Sequence, residues 1–144
     1  MDGQPGKVFT TPGWRVIKDR GSLLIEPVQE AVKPLLEIKE HPYTPDFMIP
    51  RNKATACFDA DKLQHPLSLR LCRQGDSFVP FGMKGRKKVS DYLTDRKFSL
   101  LRKERQWVLC CGDDIIWLVG ERVDNRFRID EKTRKVLVVS TIDQ

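Results

Sequence analysis

Two apolar runs, Trp107 to Cys111 and Ile115 to Val119, are joined by Gly112-Asp113-Asp114. The turn residues predict a β-hairpin. The apolar residues run continuously instead of alternating, so both faces of this hairpin are expected to be buried. The chain around it must supply the cover. Ala54 to Asp59 reads as a strand, followed by a turn or single helical turn at Asp59-Ala60-Asp61-Lys62-Leu63. Pro66 opens a strand from Leu67 to Cys72 with alternating Leu67, Leu69 and Leu71. Lys87 to Lys97 predicts a helix, with Val89, Tyr92 and Leu93 on one stripe. Phe98 to Arg105 is a second short helical piece, and Val136 to Ile142 a closing strand. The class is α+β: a compact mixed sheet with one or two short helices. Trp14, Trp107 and Trp117 fall in apolar strands and read as core.

The N-terminal third reads differently. Val8 to Thr11, Trp14 to Lys18 and Leu23 to Pro27 are strand-like, and Arg15-Val16-Ile17 should pair with Leu23-Leu24-Ile25. A lone hairpin is marginal in water, so it is expected to pack on a domain that precedes this sequence. Pro34, Pro42, Pro45 and Pro50 follow, around a short strand at Leu35 to Ile38. Proline favours extended backbone, so this stretch reads as a connector. The expected division is a hairpin and linker over 1–53 and a domain over 54–144.

Charge is distributed unevenly. From Arg70 to Arg105 there are 11 Lys and Arg against 4 Asp and Glu, a net +7, whereas the whole chain carries +6. All of the excess positive charge lies in that quarter. A patch this local points to a polyanion, with nucleic acid the first candidate. At its centre Gly82-Met83-Lys84-Gly85 runs into Arg86-Lys87-Lys88. Backbone amides in such a loop and at a following helix N-terminus can face an anion.

Other classes lack support. No apolar run approaches the ~20 residues of a membrane helix, and the N-terminus has no secretory pattern. A cytoplasmic location is expected. Cys57, Cys72, Cys110 and Cys111 contain no C-x-x-C, and His41 and His65 lack metal-ligand spacing, so reduced core thiols and no metal are expected. The Asp59 and Asp61 pair hints at a metal but lacks further acidic ligands, and helix capping by Asp59 is the better reading.

Within the basic quarter, Arg70, Arg73, Lys84, Lys87 and Lys88 are candidate phosphate contacts, with Arg96 and Arg102 beyond them and Arg122 and Arg126 further on. Arg86 belongs to the cluster. Gly75, Gly82 and Gly85 are expected to serve loop geometry. Asp76, Asp91 and Asp124, with Asp95, are expected to orient the cations as salt-bridge partners. No residue is expected to be catalytic. Phe78, Phe81 and Met83 read as core under the loop, with base stacking the weaker alternative.

The ordered set Arg70-Leu71-Cys72-Arg73-Gln74-Gly75-Asp76-Ser77-Phe78, Gly82-Met83-Lys84-Gly85, Lys87-Lys88, Asp91, Asp95, Ile116-Trp117-Leu118-Val119-Gly120 and Arg122-Val123-Asp124-Asn125-Arg126-Phe127 resembles the C-terminal domain of the tRNA(Ile)-lysidine synthases. The resemblance implies a fold like the tRNA-binding domain of the phenylalanyl-tRNA synthetase β-subunit. It implies an ATP-dependent ligase that joins L-lysine to the wobble cytidine of tRNA(Ile), so that it reads AUA. ATP, with magnesium, would be used by an N-terminal catalytic domain with a Ser-Gly-Gly-x-Asp-Ser loop. This sequence contains no Ser-Gly-Gly, so it is expected to recognise tRNA, chiefly towards the acceptor stem, and to bind no cofactor itself. The expected partners are tRNA(Ile), the catalytic domain of the same polypeptide and a second copy of the chain. A docking or dimerisation module without RNA contact is the alternative.

Overall fold

The computed structural model describes residues 33–50 and 52–142, together with the backbone of three strands nearer the N-terminus. These are β1 (Val8–Thr11), β2 (Trp14–Asp19) and β3 (Ser22–Pro27), an antiparallel sheet in that order. The expected hairpin of β2 and β3 forms, shifted by one residue from the triplet pairing: Val16 lies opposite Ile25, Ile17 opposite Leu24, and Arg15 opposite Glu26. The Trp14 side chain lies outside the described residues.

The remaining strands are β4 (Leu35–Pro42), β5 (Thr55–Asp59), β6 (Leu67–Leu71), β7 (Ser77–Phe78) and β8 (Lys87–Lys88). After helices α1 (Val89–Asp95) and α2 (Leu100–Glu104) come β9 (Trp107–Cys111), β10 (Asp114–Leu118), β11 (Arg122–Val123) and β12 (Lys135–Ile142). The expected α+β architecture with two short helices is present.

Strands β9 and β10 form the hairpin that the apolar runs demanded, in a sheet ordered β11-β10-β9-β6. One face meets a cluster containing Phe78, Val89, Tyr92, Leu93, Phe98, Val108, Cys110, Ile115 and Leu118. The other meets Ala56, Phe58, Leu109, Cys111, Ile116, Trp117, Phe127 and Val139. Strand β9 alternates strictly between the two clusters, as its pleat requires. Strand β10 does not. Ile115 pairs with Cys110 and Trp117 with Leu109, so the register shifts at Ile116. That bulge sends Ile116 and Trp117 to one cluster and Ile115 and Leu118 to the other. Of the expected core tryptophans, Trp117 is fully buried and Trp107 half-buried.

Strand β12 pairs with β4 along its whole length, from Lys135 opposite Pro42 to Ile142 opposite Leu35. Its other edge pairs with β5. The division expected at residue 53 therefore falls between two strands of one sheet, and Leu35–Pro42 is part of that sheet. Proline at the end of an edge strand sacrifices no ladder hydrogen bond.

The helix is also shorter than its periodicity predicts. Lys87 and Lys88 are extended and pair with Phe78 and Ser77, and the helix begins at Val89. The stripe Val89, Tyr92, Leu93 is buried as expected. Lys97 ends it in a left-handed conformation, φ 67°, with the Phe98 amide donating back to the Leu93 carbonyl. Asp59 caps a 3-10 turn at Ala60–Lys62, accepting from the Asp61 amide. Among the described residues no helix is long and apolar enough to cross a membrane, and no group of His, Cys, Asp or Glu is placed to hold a metal.

Candidate nucleic-acid interface

The loop from Val79 to Arg86 lies against the segment Arg122 to Asn125 and is tied to it by its backbone. The Phe81 amide donates to the Val123 carbonyl at 3.0 Å and the Asn125 amide to the Val79 carbonyl at 2.7 Å. Asn125 grips two consecutive residues of the tip: Oδ1 accepts from the Gly82 amide (3.2 Å) and Nδ2 donates to the Met83 carbonyl (3.2 Å). The Val79 amide donates to Asp124 Oδ2 at 2.9 Å. Gly82, at φ +88°, takes the left-handed turn this path needs. Gly85 has no such φ, and a Cβ there would meet nothing within 4 Å. The geometric role expected of Gly85 therefore has no counterpart in the backbone.

A second turn, Arg73 to Asp76, precedes the loop. Arg70 holds it with a two-pronged contact, Nη1 to Asp76 Oδ2 (2.8 Å) and Nη2 to Oδ1 (3.0 Å). Asp76 also accepts from the Arg73 amide at 2.6 Å, and Gly75 sits at φ +91°. Burial pushes the Asp76 carboxyl up, but the Arg70 guanidinium and the Arg73 amide outweigh it, and the net shift is below the ordinary value. The hydrogen bond that Arg70 donates to Asp76 is the main reason that Arg70 is shifted up. Arg70 thus braces the turn, with its fork already occupied. Strand alternation separates the two neighbouring lysines: Lys87 is half-buried and paired with Asp95, whereas Lys88 is exposed.

The other candidate cations divide in the same way. Arg96 pairs with Glu121 (3.1 Å). The Arg102 guanidinium stacks 3.7 Å from the centre of the Phe98 ring. Arg126 is clamped to Asp124, its Nη2 2.9 Å from Oδ2, and also reaches Asp114 (3.4 Å). Arg122 donates to the Phe81 carbonyl (3.4 Å) and lies over Tyr92, 5.7 Å from the ring centre. Asp91, expected to orient a cation, is exposed and forms no ion pair among the described residues. Arg73, Lys84, Arg86 and Lys88 remain: all are exposed and, among the described residues, none contacts a carboxylate with its side chain. Arg86 donates to Ser77 Oγ at 3.0 Å. Lys84 and Arg86 lie in the loop, Lys88 follows it and Arg73 lies in the preceding turn, and together they are candidate cations left without a carboxylate among the described residues.

Two expectations for the loop are overturned. Phe81 is 50% exposed and Met83 42% exposed, whereas Phe78 is fully buried. Position decides this: Phe78 lies in β7 over the core, and the other two lie at the tip beyond Pro80. Sequence reasoning also passed over Asn125, whose side chain secures the tip. Its signal was its place directly after a capping aspartate, where a short polar side chain can reach neighbouring backbone. Three cysteines, Cys57, Cys72 and Cys110, have thiols pushed up by burial, which favours the neutral form.

The sequence profile of the TilS substrate C-terminal domain matches residues 67–140, which contain both turns, the loop and the Arg122 to Asn125 segment. The chain is 59% identical to a tRNA(Ile)-lysidine synthase of Bacteroides thetaiotaomicron, over 99% of this chain and 34% of that protein. It is 49% identical to that of Parabacteroides distasonis, over 95% of this chain and 35% of the relative. The chain thus spans about a third of the length of these relatives. Among solved structures, a TilS C-terminal domain superposes with a TM-score of 0.56 at 18% identity, covering 96% of this chain and 93% of the other. An N-terminal fragment of the phenylalanyl-tRNA synthetase β-subunit from Pyrococcus horikoshii gives a TM-score of 0.53 at 18% identity, over 60% of this chain and 27% of that one. These two likenesses show the fold. Since the family profile covers more than half of the chain, the chain belongs to the tRNA(Ile)-lysidine synthase family, as its C-terminal domain.

Proposed function

We propose that this chain is the tRNA-docking part of a cytoplasmic tRNA(Ile)-lysidine synthase. In this reading it grips folded tRNA by its phosphates, on the acceptor-stem side. ATP, magnesium and lysine are handled by a catalytic domain elsewhere in the polypeptide. The observation that carries the reading is the set Arg73, Lys84, Arg86 and Lys88. They are exposed, have no carboxylate partner among the described residues, and lie in or next in sequence to a loop whose first half, Val79 to Met83, is tied down by hydrogen bonds. Cations not already paired release counterions when they meet phosphate, and a fixed loop sets their register on the helix. Arg70, Lys87 and Arg126 are spent on internal carboxylates and act by holding the surface in shape.

The test is binding of this chain to tRNA(Ile), to an acceptor-stem minihelix and to an anticodon stem-loop across a salt series. The triple variant Arg73→Gln/Lys84→Gln/Lys88→Gln should weaken tRNA and minihelix binding and lower the slope of log K against log salt by roughly 2–3. An unchanged slope removes these residues from the interface.

A second reading is favoured by a different observation. Among the described residues strand β4 has one unpaired edge, and Leu35, Ile38 and Ile142 are exposed on that sheet. A module docking on the catalytic domain or on a second copy would use that edge. A dimer that persists on dilution, with no affinity for any of the three RNAs, would replace the first reading with this one.

A further inference from the structure

The loop presents an aromatic ring to solvent in the middle of a basic surface. The Phe81 amide donates to the Val123 carbonyl and its own carbonyl accepts from Arg122, so the backbone that carries the ring is held at this position. The ring is half exposed, whereas the neighbouring Pro80 and Phe78 are buried. Phe81 forms one wall of an open cavity of about 280 Å³, also lined by Asn52, Lys53, Thr55 and Arg122. Glu121 reaches this cavity too, but its carboxylate is taken up by Arg96.

We infer that an unpaired nucleotide of the bound RNA stacks on Phe81 and places its phosphate between Lys53 and Arg122. An unstacked base needs a flat apolar face, which the ring supplies. Its phosphate needs cations close to that face, and Lys53 and Arg122 line the same cavity. Arg122 is preset between the Tyr92 ring and the Phe81 carbonyl, so little freedom is lost on binding. A base edge needs short polar groups. Asn52 Oδ1 is engaged by the Ala54 amide at 3.0 Å, which leaves the amide donors of Asn52 for the ligand. A purely apolar ligand would leave both cations facing a surface that gives them nothing. A duplex would satisfy the cations and leave the ring in water. A single-stranded nucleotide uses both.

The inference rests on the docking reading, and the experiment separates the two. The whole chain is titrated with a blunt RNA duplex and with the same duplex carrying a short single-stranded end that contains 2-aminopurine, placed in turn at the 5′ and the 3′ terminus. The wild type should bind at least one tailed duplex about tenfold more tightly than the blunt one, with quenching of the 2-aminopurine as it stacks. Phe81→Leu should lose the preference and the quenching and keep the blunt-duplex affinity, whereas Phe81→Trp should retain all three. Melting curves of the variants establish that each is folded. Equal affinity of the wild type for blunt and tailed duplexes, or a preference that survives in Phe81→Leu, overturns the inference and leaves docking intact. Failure to bind any duplex overturns docking, and the inference with it.

Discussion

Asp124 has no exposed surface, and its two oxygens accept from the Val79 amide, the Arg126 amide, and Nε and Nη2 of Arg126. Asp124→Ala leaves a buried amide and a guanidinium without their acceptor, and should destabilise the chain by roughly 3 kcal/mol in chemical denaturation. The same change frees the Val79 end of the loop, so under the proposed docking function RNA affinity should fall further than stability alone explains. Asp76 gives a test in pH. Its folded carboxyl lies below the ordinary value, so ionisation is favoured in the folded chain. That contribution is complete above the unfolded value of ~3.9 and is lost as pH falls through the lower folded value. The stability gap between wild type and Asp76→Asn should be flat above about pH 5 and close as the pH drops below about 4. Composition exposed the excess of cations in this quarter, but not which of them are free. Arg70 and Arg73 look alike in sequence, and only the turn that folds Asp76 back onto Arg70 tells them apart.

At the scale of elements, periodicity located the buried stripe of α1 but not its first turn. Lys87 and Lys88 are good helix formers, and nothing local announces that Ser77 and Phe78 will claim their backbone. The pairing wins because it also places Val89 over the core. The continuous apolar runs of β9 and β10 foretold burial on both faces, yet the bulge at Ile116 has no counterpart in composition. It answers a tertiary demand: the Ile116 carbonyl accepts from the Asp124 amide at 2.8 Å, joining the strand to the clamp below the loop. The end of α1 carries a correctable cost. A lysine in the left-handed region is strained where glycine is not. Lys97→Gly should raise stability by about 0.5–1 kcal/mol, read as a higher midpoint at unchanged m-value.

At the scale of the whole molecule, β12 is the strand on which the second sheet depends, since among the described strands it is the one that joins β4 to β5. The prolines between residues 34 and 50 concealed this, because they read as a connector and the strand among them pairs with a segment far along the chain. A chain trimmed to 67–140 retains the family-matched region and strips β12 of both neighbours. It should lose its cooperative melt and self-associate through the uncovered Val136 and Val139, whereas a chain beginning at residue 33 should melt as one unit. The same arrangement sets an order of events during synthesis. Leu35 finds its partner only when Ile142 is available, and Thr55 only when Ser140 is. On the ribosome the hairpin of β9 and β10 can close from neighbouring residues, while β4 and β5 wait as unpaired edges until residues 135–142 have left the exit tunnel. Such distant closure is slow. The newborn chain is therefore expected to carry β4 and β5 as open edges until β12 arrives.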